Sequence, residues 1–297
     1  TGTDGVIYHW IRRGVSGFRL DVADELPDEF IEKIRNAAHA ARADALIIGE
    51  VWEDASNKIA YSKRRKYLQG KELDSVMNYP LKDAIIKFLK SENTEVLREA
   101  IAQLRDNYPK CVLDSLMNIL GTHDTSRILT VLGGVPAYNK DEMNVTVMSE
   151  EVKTKAKEQL KIAAVLQFTL FGVPCIYYGD EIGMEGYGDP FCRHTFSWDK
   201  IDNDLLGYYK RLGKMRRHLT LFRDSEYREL YADEKCLVYE RAAGDQQVIV
   251  AINLGNNLFD IKFNGKLFDL FDNDVFEGKF TILPQSCTIL SNIRLNI

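Results

Sequence analysis

The sequence predicts an α/β chain in which helices alternate with parallel strands and a small all-β module follows. Apolar segments with helical and then strand spacing alternate from residue 4 to about residue 218. Several of the predicted strands end in a carboxylate, as strands do at the C-terminal face of parallel β/α barrels. From about residue 221 the segments become short and alternating, with Gly, Asn and Asp turns between them.

The first elements already alternate in type. A helix is predicted over 4–14 and a strand over 17–22. A second helix, which begins at a proline, is predicted over 27–42, and a second strand over 45–51. Helix, strand, helix, strand is the order that predicts parallel β/α packing.

The middle of the chain continues the pattern after one polar segment. Residues 53–72 are polar and basic, which is typical of the solvated face of a helix. Residues 133–150 contain Gly and Pro and are predicted to be a long loop that borders a site. Further strands are predicted over 75–79, 115–121 and 175–181, and further helices over 81–90, 94–107, 149–171 and 204–218.

The last part of the chain predicts strands alone. These strands cover 237–241, 247–252, 259–263, 281–283 and 288–291. We therefore predict two domains, a β/α domain over residues 1–220 and an all-β domain over residues 221–297.

Composition excludes several classes of protein. The chain has 297 residues, 45% of them hydrophobic and 28% charged, and its formal net charge is −5. This balance gives no reason to expect nucleic acid or an anionic membrane as a partner. No apolar run approaches the roughly 18 residues that a membrane helix needs. The five cysteines are scattered without a C-x-x-C pair, so a reducing, cytoplasmic location is expected, and the five histidines lack metal-ligand spacing.

The strand over 17–22 carries a basic and an acidic residue on one face. Side chains at i and i+2 of a strand point to the same side, so Arg19 and Asp21 are expected to lie together. A charged pair on an interior face costs desolvation energy unless the charges are paired or used. One interpretation is a structural salt bridge. The other is a carboxylate that a guanidinium keeps ionised, as a nucleophile requires.

Two later strands also end in acidic residues. The segment over 45–52 reaches Glu50, and the segment over 115–124 ends in His123 and Asp124. Taken alone, Glu50 fits a helix cap or a surface residue, and the His-Asp pair fits an N-cap of the next helix. Carboxylates at consecutive strand ends favour the catalytic interpretation instead.

These stretches resemble a known family. GFRLDVADE (17–25), IIGEVWED (47–54) and LGTHDT (120–125) are similar to three conserved blocks of the α-amylase clan of retaining α-glycosidases. GEVWEDASNK (49–58) and DPFCRHTFSW (189–198) most resemble its neopullulanase and cyclomaltodextrinase branch. The blocks stand in the family's order, and the resemblance covers nearly the whole chain.

The resemblance implies the chemistry of a retaining glycosidase. Such an enzyme needs a nucleophilic carboxylate and an acid/base carboxyl roughly 5 Å apart. Asp21 is then the expected nucleophile, with Arg19 keeping it anionic. Glu50 is the expected acid/base, because an apolar strand end favours a protonated carboxyl. Asp124 is expected to bind sugar hydroxyls and aid ring distortion, while His123 donates hydrogen bonds in the transition state.

Three further residues resemble substrate-binding positions of the branch. Trp52 resembles a platform that stacks on the sugar at the leaving-group side, and the alternative is a core tryptophan. Asp189 and Arg193 resemble an Asp-Pro-x-x-Arg element that grips glucose hydroxyls, and the alternative is a salt bridge within a loop. All three are expected to be substrate-binding residues, together with Arg19 and His123.

The sequence departs from the branch at two positions. Asp24 stands where Asn is more usual, and His194 stands where a second Arg is common. Both departures bear on substrate preference rather than on the reaction class. Asp180 and Glu181 follow a predicted strand, but the resemblance implies a structural role for them.

The resemblance also implies a fold. The five strands predicted up to residue 181 correspond to strands four to eight of an eight-stranded (β/α) TIM barrel, and the module after it to a small all-β sandwich. The chain is therefore expected to be the C-terminal part of a larger enzyme. Association with the N-terminal part, or a homo-oligomer with swapped strands, is the expected way to complete the barrel.

The predicted function is that of a retaining α-glucan hydrolase. It would cleave α-1,4 bonds, with α-1,6 bonds as a second option, in maltodextrins, pullulan or cyclodextrins through a glucosyl-Asp intermediate. One alternative is a transglycosylase that passes the same intermediate to a sugar acceptor, and another is a non-catalytic sugar-binding fragment. The expected partner is an α-glucan oligosaccharide. No organic cofactor is expected; calcium occurs in the clan, but no ligand cluster in the sequence supports it.

Overall fold

The computed structural model describes residues 1–295, and the chain divides into two compact units. One unit consists of Thr1–Leu81 and Ala100–Asn118, and the other of Lys82–Glu99 and the residues from Ile119 onward. Parallel strands and helices form the first unit, and helices with an antiparallel sheet form the second. The predicted mixed α/β class, a partial barrel domain with an all-β domain after it, is confirmed.

Within residues 1–295, the six helices whose ranges were predicted are present in the predicted order, together with three shorter helices that were not predicted. They are α1 (Val6–Arg12), α2 (Asp28–Ala41), α3 (Tyr79–Ser91), α4 (Thr94–Asn107), α5 (Lys110–Leu113), α6 (Ile128–Gly133), α7 (Lys140–Val145), α8 (Glu150–Thr169) and α9 (Asn203–His218). Short 3-10 turns also occur, at Ala23–Glu25, Asp180–Ile182, Phe191–Arg193 and Thr220–Arg223.

The strands of the β/α part are short and those of the last part are long. They are β1 (Gly17–Leu20), β2 (Leu46–Gly49), β3 (Ile59–Ala60), β4 (Lys63–Arg64), β5 (Ser75–Val76), β6 (Met117–Asn118), β7 (Val173–Pro174), β8 (Glu226–Ala232), β9 (Cys236–Ala243), β10 (Gln246–Asn253), β11 (Phe259–Asp269), β12 (Val275–Ile282) and β13 (Ser286–Ser291).

A parallel sheet forms the centre of the first unit. Its strand order is β1-β2-β5, and a parallel bridge between Met77 and Met117 adds β6 beyond β5. Helix α2 is tied to this sheet by Asp74, which accepts from the Ile47 amide at 2.8 Å and pairs with Arg35 at 2.5 Å. Successive strands thus lie side by side, as β/α crossovers require.

The prediction of a solvated helix within residues 53–72 is wrong, because the segment folds back on itself. β3 and β4 form an antiparallel hairpin in which Ala60 pairs with Lys63. Both residues of its turn have positive φ, 52° at Tyr61 and 61° at Ser62, as in tight hairpin turns. The basic run is not uniformly solvated either, because Arg65 is only 6% exposed.

Helix α8 is the buried helix of the second unit. It begins at Ser149, whose hydroxyl accepts from the Val152 amide, and two glutamates in its first turn favour the positive end of the helix. All its residues from Ile162 to Thr169 are buried, in keeping with their apolar sequence. The predicted loop over 133–150 contains the short helix α7.

The strand predicted over 175–181 is wrong in position. The strand β7 covers only Val173–Pro174, and the chain then turns. Gly179 and Gly183 have left-handed φ values of 90° and 74°, and a 3-10 turn lies between them. Such glycines end a strand because no extended ladder accommodates positive φ.

The all-β module is one antiparallel sheet of six strands in the order β12-β11-β13-β10-β9-β8. One of its faces packs on an apolar cluster to which five of the strands contribute, consisting of Val238, Ile249, Ala251, Ile261, Leu267, Ile282 and Leu290. Strand β8 was not predicted, because most of its side chains are exposed and charged ones interrupt its alternation.

Two further predictions concern the chain as a whole. The domain boundary near residue 220 stays a prediction; α9 ends at His218, and the first strand of the module begins at Glu226. Over residues 1–295, the structure contains no helix that combines the length and apolar character needed to span a bilayer.

Candidate active site

Asp21 and Glu50 follow two neighbouring parallel strands at the same level. β1 ends at Leu20 and β2 ends at Gly49, and these two residues are partners in the ladder. The Glu50 amide donates to the Leu20 carbonyl at 2.9 Å, which extends the ladder by one step. Because both residues leave the carboxyl ends of parallel strands, their side chains share one rim of the sheet.

One guanidinium contacts both carboxylates. Arg19 Nη1 donates to Asp21 Oδ1, and Arg19 Nη2 lies 3.1 Å from Glu50 Oε2. The Glu50 side chain is 5% exposed, whereas that of Asp21 is 71% exposed. The shared positive charge offsets the repulsion that two neighbouring carboxylates would otherwise feel. Of the two carboxyl groups, Asp21 is therefore the more accessible to a ligand in solution.

Val22, directly after Asp21, has a left-handed backbone. Its φ is 40° and its ψ is 56°, a region that disfavours β-branched residues. In this conformation the Val22 amide donates to Glu50 Oε2 at 2.7 Å, and the Ala23 amide donates to the Glu50 carbonyl at 3.2 Å. Backbone strain of this kind is concentrated at functional sites. The turn after the nucleophile candidate is thus bonded to the acid/base candidate.

Trp52 extends the same group. Its indole Nε1 donates to Glu50 Oε1 at 3.0 Å. Its ring stacks on the buried ring of Tyr79, with the centroids 4.7 Å apart and an interplanar angle of 11°. Trp52 is 48% exposed, so the alternative of a core tryptophan is wrong. The half-exposed ring can stack on an apolar sugar face, because Tyr79 holds it in one orientation.

His123, Asp124 and Arg193 form a compact group in the second unit. His123 Nε2 lies 3.1 Å from Asp124 Oδ2, and Arg193 Nη2 donates to Asp124 Oδ1 at 3.2 Å. Arg193 Nε also donates to the His123 carbonyl at 2.8 Å. The Asp124 carboxylate is therefore held between an imidazole and a guanidinium. It remains 28% exposed, so its oxygens are still accessible.

The alternative that His123 and Asp124 cap the following helix is wrong. Helix α6 has Arg127 as its N-cap residue, and no side chain caps it. Asp189 joins the group, because its Oδ1 lies 2.6 Å from Arg193 Nε. Asp189 and Arg193 therefore do form a salt bridge within the loop, as the alternative interpretation predicts. Arg193 also contacts Asp124.

Arg127 is a residue that the sequence reasoning missed. It is fully buried and donates to the Tyr178 carbonyl at 2.8 Å, and its guanidinium lies 4.8 Å and 4.9 Å from the ring centroids of Tyr177 and Tyr178. It also pairs with the buried Asp180 at 3.3 Å. Burial raises the pKa of Asp180 to about 7, and the Arg127 charge opposes that rise. An arginine at the start of an apolar helix, where the helix dipole disfavours it, was the available signal.

The two tyrosines next to Arg127 hold the Arg193 segment. Tyr178 donates its hydroxyl to the His194 carbonyl at 2.7 Å, and Tyr177 donates to the Cys192 carbonyl at 3.3 Å. These two carbonyls flank Arg193 on either side. The position of Arg193, and through it that of Asp124, thus depends on a buried cation and two phenols.

The structure brings the predicted site residues into two groups, one in each unit. The group of the first unit is Arg19, Asp21, Glu50 and Trp52, and the group of the second unit is His123, Asp124, Asp189 and Arg193. The catalytic and binding roles of these residues stay predictions. Among residues 1–295, no three His, Cys, Asp or Glu side chains converge to hold a metal ion.

The sequence matches a known family over most of its length. Residues 2–205 match the family described as "Alpha amylase, catalytic domain". The chain belongs to the α-amylase family. The resemblance seen in its sequence blocks is thereby confirmed.

Individual relatives cover most of this chain. The cyclomaltodextrinase of Geobacillus thermopakistaniensis (strain MAS1) is 35% identical over 263 residues, which are 86% of this chain and 40% of that protein. Neopullulanase 2 of Thermoactinomyces vulgaris is 33% identical over 250 residues, or 82% of this chain and 38% of that protein. The chain is thus similar to this branch and spans about two fifths of the length of these curated relatives.

A solved structure supports the fold. The α-amylase of Geobacillus thermoleovorans, GTA, whose structure is complexed with acarbose, gives a TM-score of 0.77 at 21% identity. The match covers 98% of this chain and 63% of that one. At this identity the likeness bears on the fold alone.

Proposed function

We propose that this α-amylase family chain carries the reacting carboxylates of a retaining α-glucan hydrolase. The substrates are maltodextrins, pullulan or cyclodextrins, and the bonds cleaved are α-1,4 bonds, with α-1,6 bonds as a second linkage. The observation that carries the proposal is the Arg19 guanidinium shared by Asp21 and Glu50 at adjacent parallel strand ends. The similarity to a cyclomaltodextrinase and a neopullulanase supports the substrate class.

In the first step Asp21 attacks the anomeric carbon. The bond from that carbon to the glycosidic oxygen breaks, and the leaving oxygen takes a proton from Glu50. Arg19 keeps Asp21 anionic before the attack, and the exposed position of Asp21 leaves its oxygens open to the sugar. The product of this step is a glucosyl ester on Asp21.

In the second step Glu50 acts as the base. It takes a proton from water, whose oxygen attacks the same carbon and releases Asp21, so the anomeric configuration is retained. Asp124 binds sugar hydroxyls and His123 donates hydrogen bonds as charge develops in the ring. Trp52 stacks on the sugar of the leaving group, since its exposed ring is held beside Glu50.

The test is the pair of variants Asp21→Asn and Glu50→Gln in the intact natural protein. Hydrolysis of maltotriose, pullulan and β-cyclodextrin is followed by reducing ends, and the anomer released is followed by NMR. We expect Asp21→Asn to lower kcat by about 10⁴-fold or more, because no covalent intermediate can form. Glu50→Gln is expected to lose turnover of maltotriose but to form the intermediate from a substrate with an activated aryl leaving group, which needs no proton.

The matched control is Asp44→Asn, because Asp44 is also paired with an arginine but is 75% exposed and lies at the opposite end of the sheet strand β2. Its kcat should stay unchanged. Turnover at the parent rate in Asp21→Asn, or release of the inverted anomer, would contradict the proposal. Products longer than the substrate would favour the transglycosylase, and binding without any turnover would favour the sugar-binding fragment.

We also propose a reducing, cytoplasmic location. The support is the scatter of the five cysteines along the chain and the burial of Cys192 and Cys236, which makes them poor partners for disulfide exchange. Fractionation of the native host, with the protein detected by antibody, tests the location.

A further inference from the structure

A buried arginine braces the turn that follows Asp21. We propose that Arg65 is a positioning residue for the reaction: it fixes the backbone of residues 22–26 and thereby directs the Val22 amide at Glu50. The inference rests on the proposed roles of Asp21 and Glu50. Arg65 contacts neither of these carboxylates in the structure, so it acts through the backbone.

The contacts of Arg65 are concentrated on this turn. Its Nη1 donates to the Asp24 carbonyl at 2.9 Å, and its Nη2 donates to the Leu26 carbonyl at 2.5 Å and lies 3.4 Å from that of Ala23. Its Nε lies 2.8 Å from Asp28 Oδ1 at the start of α2. One guanidinium thus bridges three carbonyls of the turn and the first residue of the next helix. The planar fork of arginine suits such bridging, which a single ammonium cannot reproduce.

The surroundings of Arg65 keep it in place. Its guanidinium lies 4.7 Å from the ring centroid of Tyr67, which is fully buried. The Tyr67 hydroxyl donates to Asp24 Oδ1 at 2.5 Å, and Lys58 pairs with the other oxygen of Asp24 at 3.0 Å. The Arg65 amide itself donates to the Lys58 carbonyl at 2.8 Å. The side chains of Lys58, Arg65 and Tyr67 therefore all contact the turn, and a main-chain bond holds Arg65 to Lys58.

The turn needs this support because its first residue is strained. Val22 is left-handed, and strained residues persist only where their surroundings over-determine them. Its neighbour Ala23 is held at both ends, with its amide on the Glu50 carbonyl and its carbonyl near Arg65. Without Arg65 the turn is free to relax to a negative φ at Val22. The Val22 amide then leaves Glu50, and the nucleophile's backbone moves with it.

The experiment compares Arg65→Met with Arg64→Met in the intact natural protein. Arg64, the last residue of β4, directly precedes Arg65 and is exposed, so it is the matched control. Hydrogen exchange is measured by mass spectrometry on peptides that cover residues 20–26. We expect Arg65→Met to raise the exchange rate there by at least tenfold, whereas Arg64→Met leaves it unchanged. Kinetics on maltotriose, at a temperature well below every variant's unfolding midpoint, should show kcat lowered at least tenfold with KM within about twofold.

Two further variants keep the proposal testable if Arg65→Met does not fold. Arg65→Lys retains the charge but not the fork, so it should restore folding while kcat stays reduced. Tyr67→Phe removes only the hydroxyl bond to Asp24 and should lower kcat a few-fold. The inference is overturned if exchange over 20–26 and kcat in Arg65→Lys match those of Arg64→Met. An inactive parent protein whose turn still loosens in the Arg65 variants would refute the proposed function and leave the bracing role standing.

Discussion

At Val22 the backbone conformation and the chemistry of the neighbouring carboxyls are linked. A left-handed backbone costs an L-residue roughly 1–2 kcal/mol, and a β-branched side chain increases this cost. Val22 is 50% exposed, so burial of its side chain offsets little of this cost. The hydrogen bond from its amide to Glu50 offsets part of this cost, since a hydrogen bond within a protein contributes about 0.5–1.5 kcal/mol. The valine side chain thus lowers stability at a position where the backbone amide holds Glu50.

We predict that Val22→Asn stabilises the protein. Asn tolerates the left-handed region far better than valine, and the amide that contacts Glu50 is retained. The free energy of unfolding in a urea titration should rise by about 1 kcal/mol, with kcat unchanged. Val22→Ile is the control, since it keeps the β-branch and should gain nothing. A lower free energy of unfolding in Val22→Asn would show that the valine side chain makes contacts that matter more than the strain.

For single residues, the sequence predicted contacts between side chains better than it predicted backbone conformations. The contact between Arg19 and Asp21 follows from strand geometry alone, because alternate residues share a face. The left-handed backbone of Val22 does not follow from its residue type, which argues against it. Arg65 was hidden within a basic run, and composition cannot tell a buried arginine from the exposed ones beside it.

Between α8 and α9, one segment carries the group around Arg193 without any long element to hold it. Two phenols, those of Tyr177 and Tyr178, bond to the carbonyls on either side of Arg193. Both rings contact the buried Arg127, which fixes where their hydroxyls reach. The element is irregular because its glycines require positive φ, so its order comes from side chains rather than from a ladder.

We predict that Tyr178→Phe weakens substrate binding more than it affects folding. The variant removes the hydrogen bond to His194 but keeps the ring on Arg127. Because Arg193 contacts Asp124, the KM for maltotriose should rise several-fold, with the unfolding midpoint within a few degrees of the parent. Tyr138→Phe is the control, since Tyr138 is 83% exposed. An unchanged KM would mean that Arg193 keeps its place without this bond.

Helices and strands were predicted correctly where the apolar periodicity of the sequence is strong. They were missed where the chain forms tight turns or exposed edge strands. Helix α9 ends at the predicted residue, His218, because its apolar face keeps helical spacing throughout. Strand β8 was missed because it is mostly exposed, so its sequence lacks the alternation that burial produces. The hairpin of β3 and β4 was missed because Tyr61 and Ser62 are unusual residues for a turn with positive φ.

Each of the two compact units contains a buried carboxyl outside the proposed reacting groups. Glu72 exposes no surface in the first unit, and among residues 1–295 neither of its oxygens has a hydrogen-bond partner. Asp180 is 2% exposed in the second unit and pairs with Arg127. Burial raises the pKa of Glu72 to about 7, helped by Asp28 and opposed by Arg65. Both carboxyls therefore make the stability of the whole molecule depend on pH.

The direction of that dependence follows from proton binding. For Glu72 the folded-state pKa of about 7 lies above the ordinary value near 4.3, so the folded state binds the proton more tightly than the unfolded state. Between about pH 4 and pH 7 the unfolding free energy therefore falls as pH rises, and above pH 7 the loss is complete. The same sign holds for Asp180, whose pKa is also raised to about 7.

We predict that Glu72→Gln stabilises the protein at pH 8 and has little effect at pH 5. Glutamine keeps the shape of the side chain and never ionises, so it avoids burying a charge. The unfolding free energy at pH 8 should rise by about 2–3 kcal/mol relative to the parent, and the decline between pH 5 and pH 8 should flatten. Glu99→Gln, at an exposed position of α4, is the control and should leave the pH profile unchanged. Asp180→Asn should flatten the profile too, because it also removes a buried carboxyl whose pKa is raised to about 7. If Glu72→Gln and Glu99→Gln gave the same profile in urea titrations at pH 5 and pH 8, Glu72 would already be ionised in the folded protein below pH 5.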